Sequence, residues 1–315
     1  MPNRIAILGT LRFNPAFHLV KPASRSRSPF LPSMHAAWPT VAIVGVGLIG
    51  GSVGRAVLGR GLATRVIGVG RSSSSLAAAL RSGAVTETSL DAAAVAEADL
   101  VVVATGVAMI PSLLDTIDAA ARPGTLVTDA GSTKASIVAG WERRRKRRRS
   151  RFVGSHPLAG SHRRGPEASD PELFVGRVVV VTPAAATPAK DVEDTAAFWS
   201  ALGATVFVMA PREHDRLLAA TSHAPHVVAA AIAAATPPAA FPFAATGWRD
   251  TTRIAAGDAE LWADILLDNS SSLAAALRRI TAASERVLAA VEAGDRRRLV
   301  TLLSRAKDVR DAVGS

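Results

Sequence analysis

The segment TVAIVGVGLIGGSVGRAVLGRG, residues 40–61, constrains the fold more than any other part of the chain. A short β-branched and apolar run leads straight into G-x-G-x-x-G at 45–50, and the helical pattern that follows stops at glycine. A helix that opens directly after a strand presents unbonded backbone N–H groups at the positive end of its dipole, which favours an anion there. Gly45 permits the tight turn, Gly47 lets a pyrophosphate approach the backbone, and Gly50 lets helix and strand pack closely. With Leu48 and Ile49 between them, these residues read as a dinucleotide-binding turn; a glycine-rich turn serving packing alone is the alternative.

The rest of the first two thirds repeats this alternation. RVIGVG, ADLVVVAT, TLVTDAG, RFVGSHP, GRVVVVTP and TVFVMA read as strands, and the stretches between most of them as helices. Strands alternating with helices at this spacing predict a Rossmann-like, doubly wound, mostly parallel α/β sheet. After about residue 210 the strand patterns stop and alanine- and leucine-rich helical stretches run on, interrupted by TPPAAFPFAATG. The expected division is a nucleotide-binding domain over 39–209 and an all-helical domain over 210–315.

The net charge of +11 raises the question of a polyanion partner. Residues 1–38 carry five basic residues and no acid, and RRRKRRRSR at 143–151 carries eight more, so the remaining chain is nearly neutral. A blunt run of like charge reads as a solvated helix end or loop, and this one has no interleaved aromatics to stack bases. Nucleic acid is therefore not an expected partner. Residues 1–38, rich in Pro, Ser and Arg, read as a disordered tail or a start assigned too early, with Met34 just before the first strong strand. Cysteine is absent, which excludes disulfides and thiolate metal sites. No apolar run approaches the ~20 residues that span a bilayer, so a soluble, cytoplasmic protein without a membrane partner is expected.

The end of the second strand discriminates between nicotinamide cofactors. An acid there would bind the ribose hydroxyls of NAD, but GVGRSSSS has Gly70 at that position, followed by Arg71 and Ser72. A guanidinium and hydroxyls suit a 2′-phosphate, so NADP is the expected cofactor. Alternatively, Arg71 stacks on adenine and NAD is accepted as well. Thr105, closing the third strand, is a further expected cofactor contact.

Four more stretches follow in order: TDAGSTK at 128–134, GSHPLAG at 154–160, HDRLLAATSHAPH at 214–226 and GWRDTTRIAAGDAELWADILLDN at 247–269. With GVGLIGGS, this set resembles the prephenate/arogenate dehydrogenase family of tyrosine biosynthesis over roughly residues 40–300. The resemblance implies a Rossmann-like domain and a helical domain that forms a homodimer. It also implies oxidative decarboxylation of a cyclohexadienol: prephenate to 4-hydroxyphenylpyruvate, or arogenate to tyrosine. Such a reaction asks the protein for a base to take the hydroxyl proton, cations for the carboxylates, and alignment of the two reactants.

By motif match His156 is the catalytic histidine, and neutral imidazole suits the task; without the resemblance, a histidine ending a strand reads as structural. Ser132 matches the serine that hydrogen-bonds near the same hydroxyl, and a plain helix N-cap is its other reading. The resemblance makes Arg253 the carboxylate anchor, with Arg249 beside it and Asp250 orienting the pair; a surface Arg–Asp pair is the alternative. It places His226 near the substrate with His223 in support, against a packed helix-end histidine; no metal is expected. His214, Asp215 and Trp262 read as domain-joining and packing positions. Ser161 and His162 depart from the family, which often has Thr or Pro followed by Glu there. Losing an acid near the substrate side chain removes a partner for the ammonium of arogenate and favours prephenate. A β-hydroxyacid-type dehydrogenase would use a lysine in the helical domain, and the chain from Asp191 to Ala306 has none.

Overall fold

The computed structural model describes residues 18–20, 38–143, 147–160 and 163–313. Contacts divide the chain into a first unit, residues up to Asp215 together with Gly257–Asp268, and a second unit of Arg216–Ala256 and residues from Asn269 onward. The boundary thus falls within a helix a few residues past 209, and Gly257–Asp268 groups with the sheet although its sequence reads as part of the helical region.

The first unit is built on a nine-stranded sheet. Its strands are β1 (His18–Val20), β2 (Thr40–Val44), β3 (Arg65–Val69), β4 (Glu87–Ser89), β5 (Leu100–Val103), β6 (Leu126–Asp129), β7 (Arg151–Pro157), β8 (Val178–Thr182) and β9 (Thr205–Val208). They lie in the order β1-β9-β8-β7-β6-β5-β2-β3-β4. Every pairing is parallel except β7 with β8 and β1 with β9. Two strands were not legible: β4, whose ETS has no apolar run, and β1. The latter lies inside the segment expected to be a disordered tail, of which His18–Val20 is instead an edge strand; the rest of 1–37 lies outside the described residues.

Alternation in β2 explains the double layer. Val41 and Ile43 belong to one core cluster and Ala42 and Val44 to the other, on opposite faces of the sheet. Both faces are covered, so the strand reads as a continuous apolar run rather than a polar/apolar alternation. Each Val or Ile buried in this way contributes about 1.5–3 kcal/mol. Helices α1 (Leu48–Gly59), α2 (Ser73–Arg81), α3 (Ile110–Ala120), α4 (Ala135–Glu142) and α5 (Ala189–Ala201) make the crossovers.

The basic run is not a purely solvated feature. Arg148 stacks 4.3 Å from the centroid of the Trp141 ring and pairs with Asp115 and Asp118. Arg151 opens β7 and bonds Asp191 and Asp194. Residues 144–146 lie outside the described residues.

Helix α6 (Pro211–Leu218) runs through a π turn (Ala219–His223) into α7 (Ala224–Ala235). By length and composition alone this segment is apolar enough to cross a membrane, because its alanine-rich part raises the mean hydropathy to 1.4; Arg212, Glu213, Asp215 and Arg216 crowd its first turns. The second unit adds α8 (Thr246–Thr252), α10 (Ser270–Glu292) and α11 (Arg296–Val313), while α9 (Ala259–Asp268) belongs to the first. On α10 and α11, Leu288, Val291, Val300, Leu303 and Val309 are exposed.

Candidate active site

The glycine turn sits where the sheet reverses its order, at the C-terminal end of β2 between β3 and β5, the location at which open α/β sheets bind ligands. Gly45 has φ +97°, and a Cβ there would lie 2.6 Å from the Ala104 carbonyl oxygen. A Cβ on Gly50 would lie 2.1 Å from the Gly45 oxygen, so both positions exclude any side chain. Gly47 differs: a Cβ there meets nothing within 4 Å. Its open face, at the N-cap of α1, is the cradle that a pyrophosphate needs, and the residues present fit a dinucleotide. Gly54 was not singled out from sequence, yet a Cβ there would lie 1.9 Å from the Ala84 oxygen; its spacing one turn past Gly50 was the available signal. Thr105 is beside Gly45, with its Cγ2 2.7 Å from the same hypothetical Cβ.

Arg71 and Ser72 are exposed after β3. The Ser72 hydroxyl caps α2, accepting from the Ser75 N–H at 3.3 Å, and pairs with the Ser74 hydroxyl at 2.9 Å. Arg71 forms no ion pair among the described residues.

Ser132 follows β6 and His156 lies near the end of β7, on the edge of the sheet where the parallel strands β2, β5, β6 and β7 all finish. Ser132 does not cap α4. That helix begins at Ala135 behind Lys134, and the carboxylate of Asp215 caps it instead, accepting the Lys134 N–H at 2.8 Å and the Ala135 N–H at 2.9 Å.

Asp215 is therefore more than a domain-joining residue. Its Oδ1 lies 2.8 Å from His214 Nδ1, and His214 Nε2 lies 2.9 Å from His156 Nδ1. His214 is fully buried, and burial lowers its pKa against the opposing pull of Asp215. Beside it, Lys134 is wholly buried and bonded to Asp129; burial lowers the lysine pKa, although Asp129, Asp215 and Asp268 raise it. Asp129 also accepts from the Gly131 N–H at 2.9 Å and the Ser155 N–H at 3.1 Å. Lys134, and His214 and Asp215, which read from sequence as packing positions, share one signal: each is an ionisable residue inside one of the motif stretches, TDAGSTK or HDRLLAATSHAPH.

In the second unit, Arg249 and Arg253 are exposed, and Arg249 Nε donates to the Ala244 carbonyl at 3.0 Å. Arg253 ends α8 and opens a tighter turn (Arg253–Ala256), so the two do not share one regular helix. Among the described residues neither pairs with Asp250 or any other carboxylate, which removes the surface Arg–Asp reading and the orienting role given to Asp250. His226 is buried, which lowers its pKa. His223 is buried as well, its Nδ1 3.1 Å from the Asn269 side-chain nitrogen. Ser161 and His162 lie outside the described residues. Among those described, no three His, Asp or Glu side chains are grouped to hold a metal ion.

A glycine turn at a topological switch point, with an imidazole near the C-terminal end of another strand of the same sheet, marks a pyridine-nucleotide dehydrogenase. Residues 53–208 match the family model "Prephenate dehydrogenase, nucleotide-binding domain", and residues 210–305 match "Prephenate dehydrogenase, dimerization domain". The chain belongs to the prephenate dehydrogenase family and is an NAD(P)-dependent oxidoreductase. It is 33% identical to the prephenate dehydrogenase of Bacillus subtilis, over 87% of this chain and 76% of that one. The A. aeolicus prephenate dehydrogenase, solved with hydroxyphenyl propionate and NAD+, superimposes with a TM-score of 0.82 at 28% identity, covering 90% of this chain and all of that one. The Synechocystis arogenate dehydrogenase gives a TM-score of 0.74 at 26% identity, covering 86% of this chain and 99% of that one.

Proposed function

We propose that this chain is a prephenate dehydrogenase, converting prephenate to 4-hydroxyphenylpyruvate and CO2 in tyrosine biosynthesis. The observation that carries the reading is the placement of Ser132 and His156 on the same edge of the parallel sheet as the glycine turn, in a chain matched by both family models. The nicotinamide, when bound, supplies the hydride acceptor. His156 takes the proton of the ring hydroxyl as the carbinol carbon is oxidised, and Ser132 orients that hydroxyl. Loss of the ring carboxylate as CO2 then makes the ring aromatic, which draws the reaction forward.

Arg253 anchors a substrate carboxylate, with Arg249 beside it; neither guanidinium has a carboxylate partner among the described residues, and only Arg249 Nε is engaged, by the Ala244 carbonyl, which leaves terminal N–H donors to a ligand. His226, kept neutral by burial, is a further proposed substrate contact, and so by motif position are Ser161 and His162. NADP is the proposed cofactor, because Arg71 is exposed and unpaired among the described residues at the end of β3, with the Ser72 hydroxyl beside it. Prephenate is favoured over arogenate because the sequence has Ser161 and His162 where the family often has Thr or Pro followed by Glu, an acid that would suit an ammonium. The exposed apolar residues of α10 and α11 support a homodimer through the helical domain. The charges in Pro211–Ala235 support a soluble, cytoplasmic protein, and the ion pairs of Arg148 and Arg151 support a structural role for part of the basic run.

The test crosses prephenate and arogenate with NADP and NAD in an absorbance assay of the reduced nicotinamide, repeated for His156→Asn and Arg253→Ala. The histidine variant is expected to lose about 100-fold or more in kcat with little change in KM, and the arginine variant mainly to raise KM. Turnover by His156→Asn equal to that of the parent would remove its assignment, and undisturbed substrate affinity in Arg253→Ala would remove the anchor.

A further inference from the structure

We propose that His214, held by Asp215, is a positioning residue that fixes His156 in the tautomer carrying its proton on Nδ1, so that Nε2 presents a lone pair. The inference deepens the reading of His156 as the base and rests on it for its catalytic consequence.

The argument follows the donors through one chain of hydrogen bonds. Both carboxylate oxygens of Asp215 accept backbone N–H groups, those of Lys134 and Ala135, so Asp215 is bound as an acceptor. The His214 nitrogen facing it at 2.8 Å must then be the donor, which places the His214 proton on Nδ1. His214 is fully buried, and desolvation holds it in the neutral form, so its other nitrogen, Nε2, carries a lone pair. The contact from Nε2 to His156 Nδ1, 2.9 Å long, requires a proton on one of the two, and only His156 can supply it. A neutral His156 with its proton on Nδ1 has an unprotonated Nε2, which is what a base needs.

The reverse assignment demands a doubly protonated His214, buried beside the Lys134 ammonium. Among the described residues, Asp215, Lys134 and Asp129 are ionisable groups acting on His214, with His156 at the far nitrogen. The arrangement also serves the charged state: when His156 takes up a proton, its Nδ1–H already points at an acceptor backed by a carboxylate. Asp215 couples this relay to the backbone, since the same carboxylate caps α4 directly after the Ser132 loop.

The experiment uses the full chain with 15N-histidine labelling, reading ring-nitrogen shifts of His156 by NMR, together with the pH profile of kcat. In the parent, His156 is expected to show a protonated Nδ1 and a bare Nε2. His214→Leu removes the acceptor: the His156 proton is expected to redistribute towards Nε2, kcat to fall about 100-fold with KM for substrate changed less than about threefold, and the acid limb of the profile to move to lower pH. His214→Gln, whose amide offers one donor and one acceptor, is expected to restore part of both the tautomer and the rate. A purely packing role would lower the folded fraction but leave the limb in place.

If His214→Leu folds and His156 keeps its parent tautomer and pH limb, the proposal is overturned. If His214→Leu does not fold, His214→Gln with a parent tautomer and pH limb supports it, and His214→Gln with a protonated Nε2 on His156 overturns it. The NMR readout does not depend on turnover. A tautomer that shifts in His214→Leu while His156→Asn remains fully active therefore upholds the positioning and refutes the base, whereas an inactive His156→Asn with an unmoved tautomer does the opposite.

Discussion

Replacing Lys134 by methionine removes one charge from a pair in which both partners are fully buried, Lys134 and Asp129. Neither ion is stable there alone, and breaking such a pair from one side costs about 3–5 kcal/mol because the remaining charge is left without water. Asp129 would keep its bonds from the Gly131 and Ser155 N–H groups, each a charge-assisted contact of about 1.5–3 kcal/mol. The loss should therefore sit near the lower bound, about 3 kcal/mol. At roughly 2–4 °C per kcal/mol for a unit of this size, the melting temperature of the sheet unit falls by about 6–12 °C. The second variant, Asp129→Asn with Lys134→Met, removes both charges of the pair. It should recover most of the loss, falling short by about 1 kcal/mol because the amide nitrogen meets an N–H donor. Unfolding is followed by tryptophan fluorescence, since Trp199 donates to Ser155 within this network at 2.8 Å. A Lys134→Met protein that unfolds within 0.5 °C of the parent, or a double variant no more stable than the single one, would refute the account of a mutually dependent buried pair.

Two further outcomes are expected. Gly47→Ala should fold normally yet bind the dinucleotide at least tenfold more weakly in a fluorescence titration, a loss of about 1.4 kcal/mol, because its methyl group enters open space on the ligand side. Gly50→Ala should instead destabilise the sheet unit, since its methyl group overlaps the Gly45 oxygen; equal behaviour of the two variants would contradict the assigned geometry. Stability should also fall on mild acidification. His214 has a folded pKa below its ordinary value, so between about pH 6.5 and that lower value the unfolded chain binds more protons, and this contribution, complete above about pH 6.5, declines by at most about 1.4 kcal/mol per pH unit. Urea midpoints at pH 7.5 and 5.5 should differ less for His214→Gln than for the parent.

The legible parts of the fold were those governed by local backbone needs. The turn at Gly45–Gly50 was readable because a positive φ at Gly45 and a missing Cβ at Gly50 admit only glycine. The central strands were readable because a strand covered on both faces must be apolar throughout. β4 was not, since ETS sits at the sheet margin with intermediate burial, and the antiparallel insertion of β8 between β7 and β9 leaves no trace in local periodicity.

What the sequence alone determined was the class of chemistry: a dinucleotide turn, an imidazole after a strand, and arginines in a helical region, each identified by residue type and short-range spacing. What only the tertiary structure decided was how the imidazole is supported. Asp215 caps a helix whose first residues lie 80 and 81 positions earlier, and His214 reaches His156 across 58. No local pattern specifies such partners, because a buried polar group is satisfied by whatever the folded chain brings within hydrogen-bond distance, and burial of His214 and Lys134 exists only once the sheet and helices have closed around them.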